Sequence, residues 1–301
     1  MISAPFHAGE REVQARIGSR ERMAEIGPRV IRDAMPEQHS MFFAQLPFVV
    51  VGSVDADLQP WASVLAAPAG FAHAPDAWHL RVDSLPHAND PLARNLRHGA
   101  PIGLLGIEPH TRRRNRMNGV VDALDATGFE LAVQQSFGNC PRYISPREAV
   151  FLPEGAMPSQ APVAGFDAVA RALVDRADTF FIATAHPEAA GSGAASHGVD
   201  VSHRGGPPGF VRTADDGVLT VPDFAGNRFF NTLGNLMLNK RAGLLFIDFD
   251  RGDLLHLAVS ATVVWDGPEV TAIDGAERLL QLRVDRALRR PGALPLRWRT
   301  H

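Results

Sequence analysis

The chain has 301 residues, 45% hydrophobic, 21% charged and 7% aromatic, and its 30 lysines and arginines against 33 acids leave a formal charge of −3. This composition excludes a disordered chain and a collagen repeat. No apolar stretch approaches the length that spans a bilayer, and the balanced charge gives no broad field for nucleic acid or an anionic membrane. A single cysteine, Cys140, excludes an intrachain disulfide and any multi-cysteine metal centre.

Residues 1–45 read as a helical N-terminal extension, with Val13, Ile17, Met23 and Ile26 spaced for one apolar face and a break expected near Gly27-Pro28. No basic stretch followed by an apolar run precedes it, so the expected compartment is the cytoplasm. From Leu46 the texture changes to short apolar runs between turn residues: 48–51, 62–66, 78–82, 102–107, 117–121 and 129–133. Residues 46–151 are therefore expected to form a β-rich domain. The stretch 152–165, rich in Pro, Ala and Gly, reads as a linker. A second domain over 166–301 opens with a helix at 166–176. Strands follow at 179–184, 209–211, 218–221, 242–249, 254–265 and 279–284, with a helix expected over 227–239.

The two halves resemble one another. Pro68-Ala69-Gly70-Phe71 reappears 139 positions later as Pro207-Pro208-Gly209-Phe210, and Ser63 maps onto Ser202 at the same offset. At an offset of 140, Asn95-Leu96 meets Asn235-Leu236, and the run from Gly103 to Glu108 meets that from Gly243 to Asp248. Ordered matches at a near-constant offset imply two copies of one domain packed as an intrachain pseudo-dimer. Closing each sheet into a small barrel would remove its edges.

The run Val199-Asp200-Val201-Ser202-His203-Arg204-Gly205-Gly206-Pro207-Pro208-Gly209-Phe210, with Pro222-Asp223, Gly226-Asn227-Arg228 and the Asn235-Leu236 helix, resembles the pyridoxamine 5'-phosphate oxidase-related, FMN-binding split-barrel family. The first half adds two stretches that recur in this group, 111–119 and 137–144, and the resemblance covers about residues 40–290. It implies a mainly β (α+β) fold of two tandem split β-barrels, FMN as cofactor, and a flavin site across the barrel interface. Where the family's vitamin B6 oxidases carry a basic Ser-Arg-Lys-type element, this chain has Gly226-Asn227-Arg228-Phe229, and their C-terminal Arg and His pattern is not visible. The resemblance is therefore carried to fold and cofactor and not to the namesake reaction.

Read on their own chemistry, Ser202 and Arg204 lie where a strand enters a glycine-proline turn, and Asn227 and Arg228 fall at the expected helix start, where free amides favour an anion. Only Lys240 is a lysine, so arginine, whose planar fork suits phosphate, carries nearly all anion binding. The competing reading is that Ser202 and Asn227 cap turns and the arginines are solvated. His203, Pro222 and Asp223 join the site through the resemblance. Asn139, Cys140 and Tyr143 are expected to cover part of the flavin ring, the alternative for Cys140 being a small buried thiol. The run from Arg112 to Arg116 reads as a charged strand rim, with a phosphate or substrate contact from Arg114 or Arg116 as the second reading. Since the first half lacks the helix-start arginine and the second lacks the 137–144 motif, one composite site per chain is expected.

Twelve histidines show no pair at metal-binding helical spacing, and no metal is expected. The function expected is an FMN-dependent oxidoreductase acting on a small-molecule substrate, with a reduced nicotinamide or a reductase as electron donor. No catalytic acid or base stands out. The alternative is a non-catalytic module binding a flavin, deazaflavin or haem. No nucleic-acid or membrane partner is expected, and a homodimer is left open.

Overall fold

The computed structural model describes residues 4–152 and 161–299. The lead-in forms three helices, α1 (Ala8–Arg16), α2 (Arg20–Val30) and α3 (Glu37–Ala44). The first starts at a capping box: His7 Nδ1 accepts from the Gly9 amide while Glu10 Oε2 accepts from the His7 amide. The break falls at Gly18, whose φ of 69° is left-handed, and not at Gly27-Pro28. Pro28 sits in the last turn of α2, where it removes only one helical bond, and Gly27, helical and buried, makes room for the Phe6 ring, which a Cβ there would meet at 2.5 Å.

All seven residues of β1 (Phe48–Val54) are buried, the mark of a strand covered on both faces. With β2 (Pro60–Ala66), β3 (Ala72–His73), β4 (His79–Val82), β5 (Pro101–Glu108), β6 (Arg113–Leu124) and β7 (Phe129–Gly138), it forms a seven-stranded antiparallel sheet in the order β2-β1-β5-β6-β7-β4-β3. Helix α4 (Pro91–Asn95) lies between β4 and β5. Strand β8 (Glu148–Phe151) and the short β9 (Val163–Ala164) follow, then α5 (Ala168–Arg176).

The second sheet uses β10 (Thr179–Ala185), β11 (Val199–Gly205), β12 (Arg212–Thr213), β13 (Val218–Phe224), β14 (Arg241–Ile247), β15 (Leu254–Val264) and β16 (Ala276–Arg290), with α6 (Asn231–Leu238) between β13 and β14. Its order, β11-β10-β14-β15-β16-β13-β12, repeats that of the first sheet position for position. β9 pairs with β16, so this end of the expected linker is ordered; residues 153–160 of it lie outside the described residues. The strand expected at 209–211 begins later, at Arg212, because Pro207 to Gly209 make a turn with Gly209 at φ 81°. A final strand, β17 (Leu296–Arg299), pairs with β8.

Neither sheet closes into the barrel expected from the sequence; β2 and β3 remain the edges of one path, β11 and β12 of the other. The sheets cover the β2 and β11 edges by packing on each other, while α3 packs on β3 and α5 on β12. Alternate residues of β1, β2 and β5 (Val49, Val51, Leu65, Leu104) face the first sheet's own core, while Phe48, Val50, Val64 and Leu105 join Phe181, Ala183, Val201 and Leu245 in a core shared by both sheets. Two glycines permit the crossing. A Cβ on Gly103 of β5 would lie 2.5 Å from the Val199 carbonyl oxygen of β11, and one on Gly243 of β14 would lie 2.4 Å from the Pro60 carbonyl oxygen of β2.

Candidate cofactor site

Period-two spacing places Arg114 and Arg116 on one face of β6, and Asp200, Ser202 and Arg204 on one face of β11. These strands belong to different sheets, and the crossing brings the two faces together around a cavity of about 110 Å³. Asn139 and Cys140 follow β7 into it, Asp223 and Phe224 come from the end of β13, and Asn231, Thr232 and Leu233 from the first turn of α6.

Arg116 is at the centre. Its Nη1 donates to both Asp200 oxygens at 2.8 and 2.9 Å and to Asn231 Oδ1 at 2.9 Å, and Nη2 donates to Ser202 Oγ at 2.7 Å. Ser202 Oγ also lies 3.0 Å from Thr232 Oγ1. Among the described residues Arg114 has no carboxylate partner: Nε donates to the Cys140 carbonyl at 2.7 Å and Nη1 to His203 Nδ1 at 3.1 Å. Burial lowers its pKa to about 10, so it stays charged at neutral pH. Burial, reinforced by Arg114 and Arg204, holds His203 well below the usual histidine range, and its neutral ring accepts from Arg114. Arg204 is paired with Asp223, whose other oxygen meets Arg278 at 3.2 Å.

Of the residues singled out in the sequence, Arg116, Asn139, Cys140, Ser202, His203, Arg204, Asp223, Asn227 and Arg228 line this one cavity. Pro222 and Tyr143 line an adjoining cavity of about 80 Å³, where the Tyr143 ring, 43% exposed, stacks on Phe224 at 5.2 Å. Two expectations are corrected. The helix starts at Asn231, four residues after the expected Asn227, because Arg228 and Phe230 adopt left-handed φ of 64° and 63° and interrupt helical continuity. Arg228 is therefore an exposed loop residue ahead of the helix, and the first-turn residues that line the cavity are Asn231, Thr232 and Leu233. The amides of a helix's first turn have no intrahelical acceptor, and Phe230 offers these no side-chain cap.

The sequence reading missed Asp200 and Thr232, although Asp200 was visible in the alternation with Ser202 and Arg204. It also missed Glu10. Helix α1 packs on α6 where Gly9 meets Gly234, and there Glu10 Oε1 accepts from Asn231 Nδ2 at 2.5 Å, behind the cavity. Burial, then the nearby Asp200, raises this carboxyl from 4.5 to about 8, so at neutral pH it carries its proton and offsets none of the arginine charge. The native state thus binds one more proton than the unfolded chain between those two pH values, and stability falls as pH rises through that window and levels off above it. Glu10→Gln, which cannot ionise, should remove this slope. Urea midpoints measured across the window should shift in the variant's favour as pH rises; parallel curves for variant and wild type would contradict the assignment.

His186, Glu188 and His197 gather in the β10–β11 loop, a cluster that helical spacing could not reveal. The two imidazoles stack with centroids 3.7 Å apart and planes 14° from parallel, and one ligand atom from each of the three residues lies within 4.8 Å of the others, as is also true of His79, Asp122 and Glu130. Among the described residues no helix is long and apolar enough to cross a membrane.

No protein-family model and no curated protein matches the chain. Among solved structures it is similar to a variant of HupZ from Group A Streptococcus, at 14% identity over 42% of this chain and 99% of that one, with a TM-score of 0.32. It is also similar to a candidate pyridoxamine 5'-phosphate oxidase from Lactobacillus delbrueckii, at 13% identity over 36% and 83% of the two chains with a TM-score of 0.28. HutZ, the heme storage protein from Vibrio cholerae, is similar at 13% identity over 40% and 92%, with a TM-score of 0.29. These partial likenesses say nothing of what the cavity holds, and its occupant has to be read from its own donors.

Proposed function

We propose that the chain is a flavoprotein of the pyridoxamine 5'-phosphate oxidase-related type, built as two tandem units of split-barrel type whose sheets stay open and pack as an intrachain pseudo-dimer, and that the cavity holds the phosphate of FMN. The observation that carries this reading is a set of orphaned donors. Arg116 Nε, Arg204 Nε and Asn139 Nδ2 are buried without hydrogen-bond partners, and all three residues line the same cavity. Leaving a buried donor unmade costs about 1–3 kcal/mol each, so the site is built for an acceptor-rich ligand. Four arginines line it against one lining carboxylate, Asp223, with Asp200 behind Arg116. That excess suits a phosphate carrying about −1.5 to −2 charges.

In this reading Ser202, Thr232 and the first amides of α6 hold the phosphate together with Arg116, Arg204 and Arg228. The adjoining cavity, with its Tyr143–Phe224 stack, offers an aromatic wall to the ring. A bound flavin supplies hydride or one-electron transfer, which makes the protein an oxidoreductase for a small-molecule substrate with a reduced nicotinamide or a reductase as donor. Neutral His203, held by Arg114, keeps a polar but uncharged face beside it. The cradle reads only an anionic tail, so a deazaflavin phosphate or the propionates of haem fit the same donors, and a Soret band in place of the flavin spectrum would select haem.

The purified protein should be yellow or take up added FMN with a shifted flavin spectrum. Arg204→Ala combined with Arg228→Ala should weaken FMN binding by a hundredfold or more, from about 1.5–3 kcal/mol per charge-assisted contact. A colourless protein that takes up no FMN in a fluorescence titration overturns the reading, and bleaching of the bound flavin by NADH or NADPH separates an oxidoreductase from a passive binder.

A further inference from the structure

The matching strand orders let each part of the cavity be traced to its counterpart beneath the first sheet. In both halves the helix asparagine donates to a hydroxyl on the sheet's first strand: Asn95 Nδ2 to Ser53 Oγ at 2.9 Å, and Asn235 Nδ2 to Thr184 Oγ1 at 3.1 Å. Ser63 on β2 stands where Ser202 stands on β11, and His256 on β15, 140 positions after Arg116, stands where Arg116 stands on β6. The residue that caps α4 is Asp90; the residue at the same place before α6, 140 positions on, is Phe230.

At this counterpart the anion is already present. The Asp90 carboxylate, 3% exposed, accepts from the Leu92 amide at 3.0 Å and from Ser63 Oγ at 2.5 Å, and is paired with buried Arg290. His256 Nε2, buried and without a hydrogen-bond partner, lies 3.9 Å from it. A helix amide, a strand serine and a cation from the opposite half surround a carboxylate here; the same three kinds of group surround an open cavity at α6. A carboxylate presents two oxygens much as one edge of a phosphate does, and donors of both places are those of an oxyanion site.

We infer that the first half holds a second oxyanion site of the same design, permanently filled by the chain's own Asp90 carboxylate, so that each chain offers one open site and not two. The inference rests on reading the α6 cavity as an oxyanion site, and it extends that reading to the ligand's stoichiometry. Loss of the Asp90 carboxylate opens the second site to an external oxyanion.

The test uses inorganic phosphate as the probe with the full chain. Asp90→Ser keeps a residue able to cap α4 while removing the carboxylate. Calorimetric titration should show one more equivalent of phosphate bound by the variant than by the wild type, and phosphate should raise the variant's melting temperature more than it raises that of the wild type, against chloride at matched ionic strength. Equal stoichiometry and equal thermal shifts overturn the inference. Should the variant fail to fold in chloride, refolding is compared in phosphate and in chloride: recovery in phosphate alone supports a filled site, and failure in both overturns it. Because the reading is the difference between variant and wild type with phosphate, a wild type that ignores FMN would sink the flavin assignment and leave this result interpretable.

Discussion

Arg116→Met should be the most damaging single substitution in the site. It deletes the guanidinium that holds the buried Asp200 carboxylate, Ser202 and Asn231 together and leaves Asp200, 4% exposed, with only the 3.3 Å bond from Asn118. Breaking a buried pair by removing one partner costs about 3–5 kcal/mol, because the remaining charge is stranded. For a chain of this size that corresponds to a fall in melting temperature of about 10 °C, at about 2–4 °C per kcal/mol. Adding Asp200→Asn removes the stranded charge and should recover a large part of the loss, since the two sites are in contact and their effects are not additive. Phosphate affinity should not return with stability in the double variant, because the central cation is still missing. A single variant no less stable than Arg29→Ala, which alters an exposed pair with Glu25, would remove Arg116 from the centre of the network.

A comparable effect is expected from a position with no charge. In Gly243→Val the new Cβ would sit 2.4 Å from the Pro60 carbonyl oxygen and 2.6 Å from Trp61 Cα, both backbone atoms of a strand paired along its whole length with β1. The neighbour cannot swing aside as a flexible side chain would, so overpacking should exceed the usual range of about 1–3 kcal/mol. Separation of the shared core would follow, read as loss of soluble protein or as a broad, early thermal transition. Gly193→Ala, in an exposed loop where a Cβ meets nothing within 4 Å, is the matched control and should melt with the wild type. A Gly243→Val protein melting alongside that control would mean that the sheets do not meet as closely as described.

Much of the fold was legible in the sequence because it rests on local patterns. The apolar runs at 48–51, 102–107 and 242–249 announce strands buried on both faces, and the offset of 139 to 140 between the halves finds its counterpart in two sheets with one strand order. What the sequence hid is where the chain departs from residue preference. No propensity foretells that Arg228 and Phe230 adopt left-handed conformations, so the start of α6 was placed at the Asn227-Arg228 pair, which has the composition of a helix start. The pairing of Arg204 with Asp223 was equally invisible, because β11 and β13, though close in sequence, lie near opposite ends of the sheet order and only its curvature brings them together. Glu10 was hidden for the same reason: its helix reads as an ordinary amphipathic lead-in, and only the close approach of Gly9 to Gly234 shows which surface it covers.

That helix contact also governs the order in which the molecule can assemble. Gln14 donates to the Phe229 carbonyl 215 positions along the chain, and Glu10 meets Asn231 221 positions along. Helix α1 is made well before α6 and until then has only α2 to pack on, so its docking on α6 must wait through synthesis of the whole first sheet and half of the second. Contacts this remote close slowly, because the entropy of a long loop is lost before any of the contact is gained. The cradle is thus completed late in folding, and a nascent chain interrupted before residue 231 can hold the first sheet but not the arginine-lined cavity.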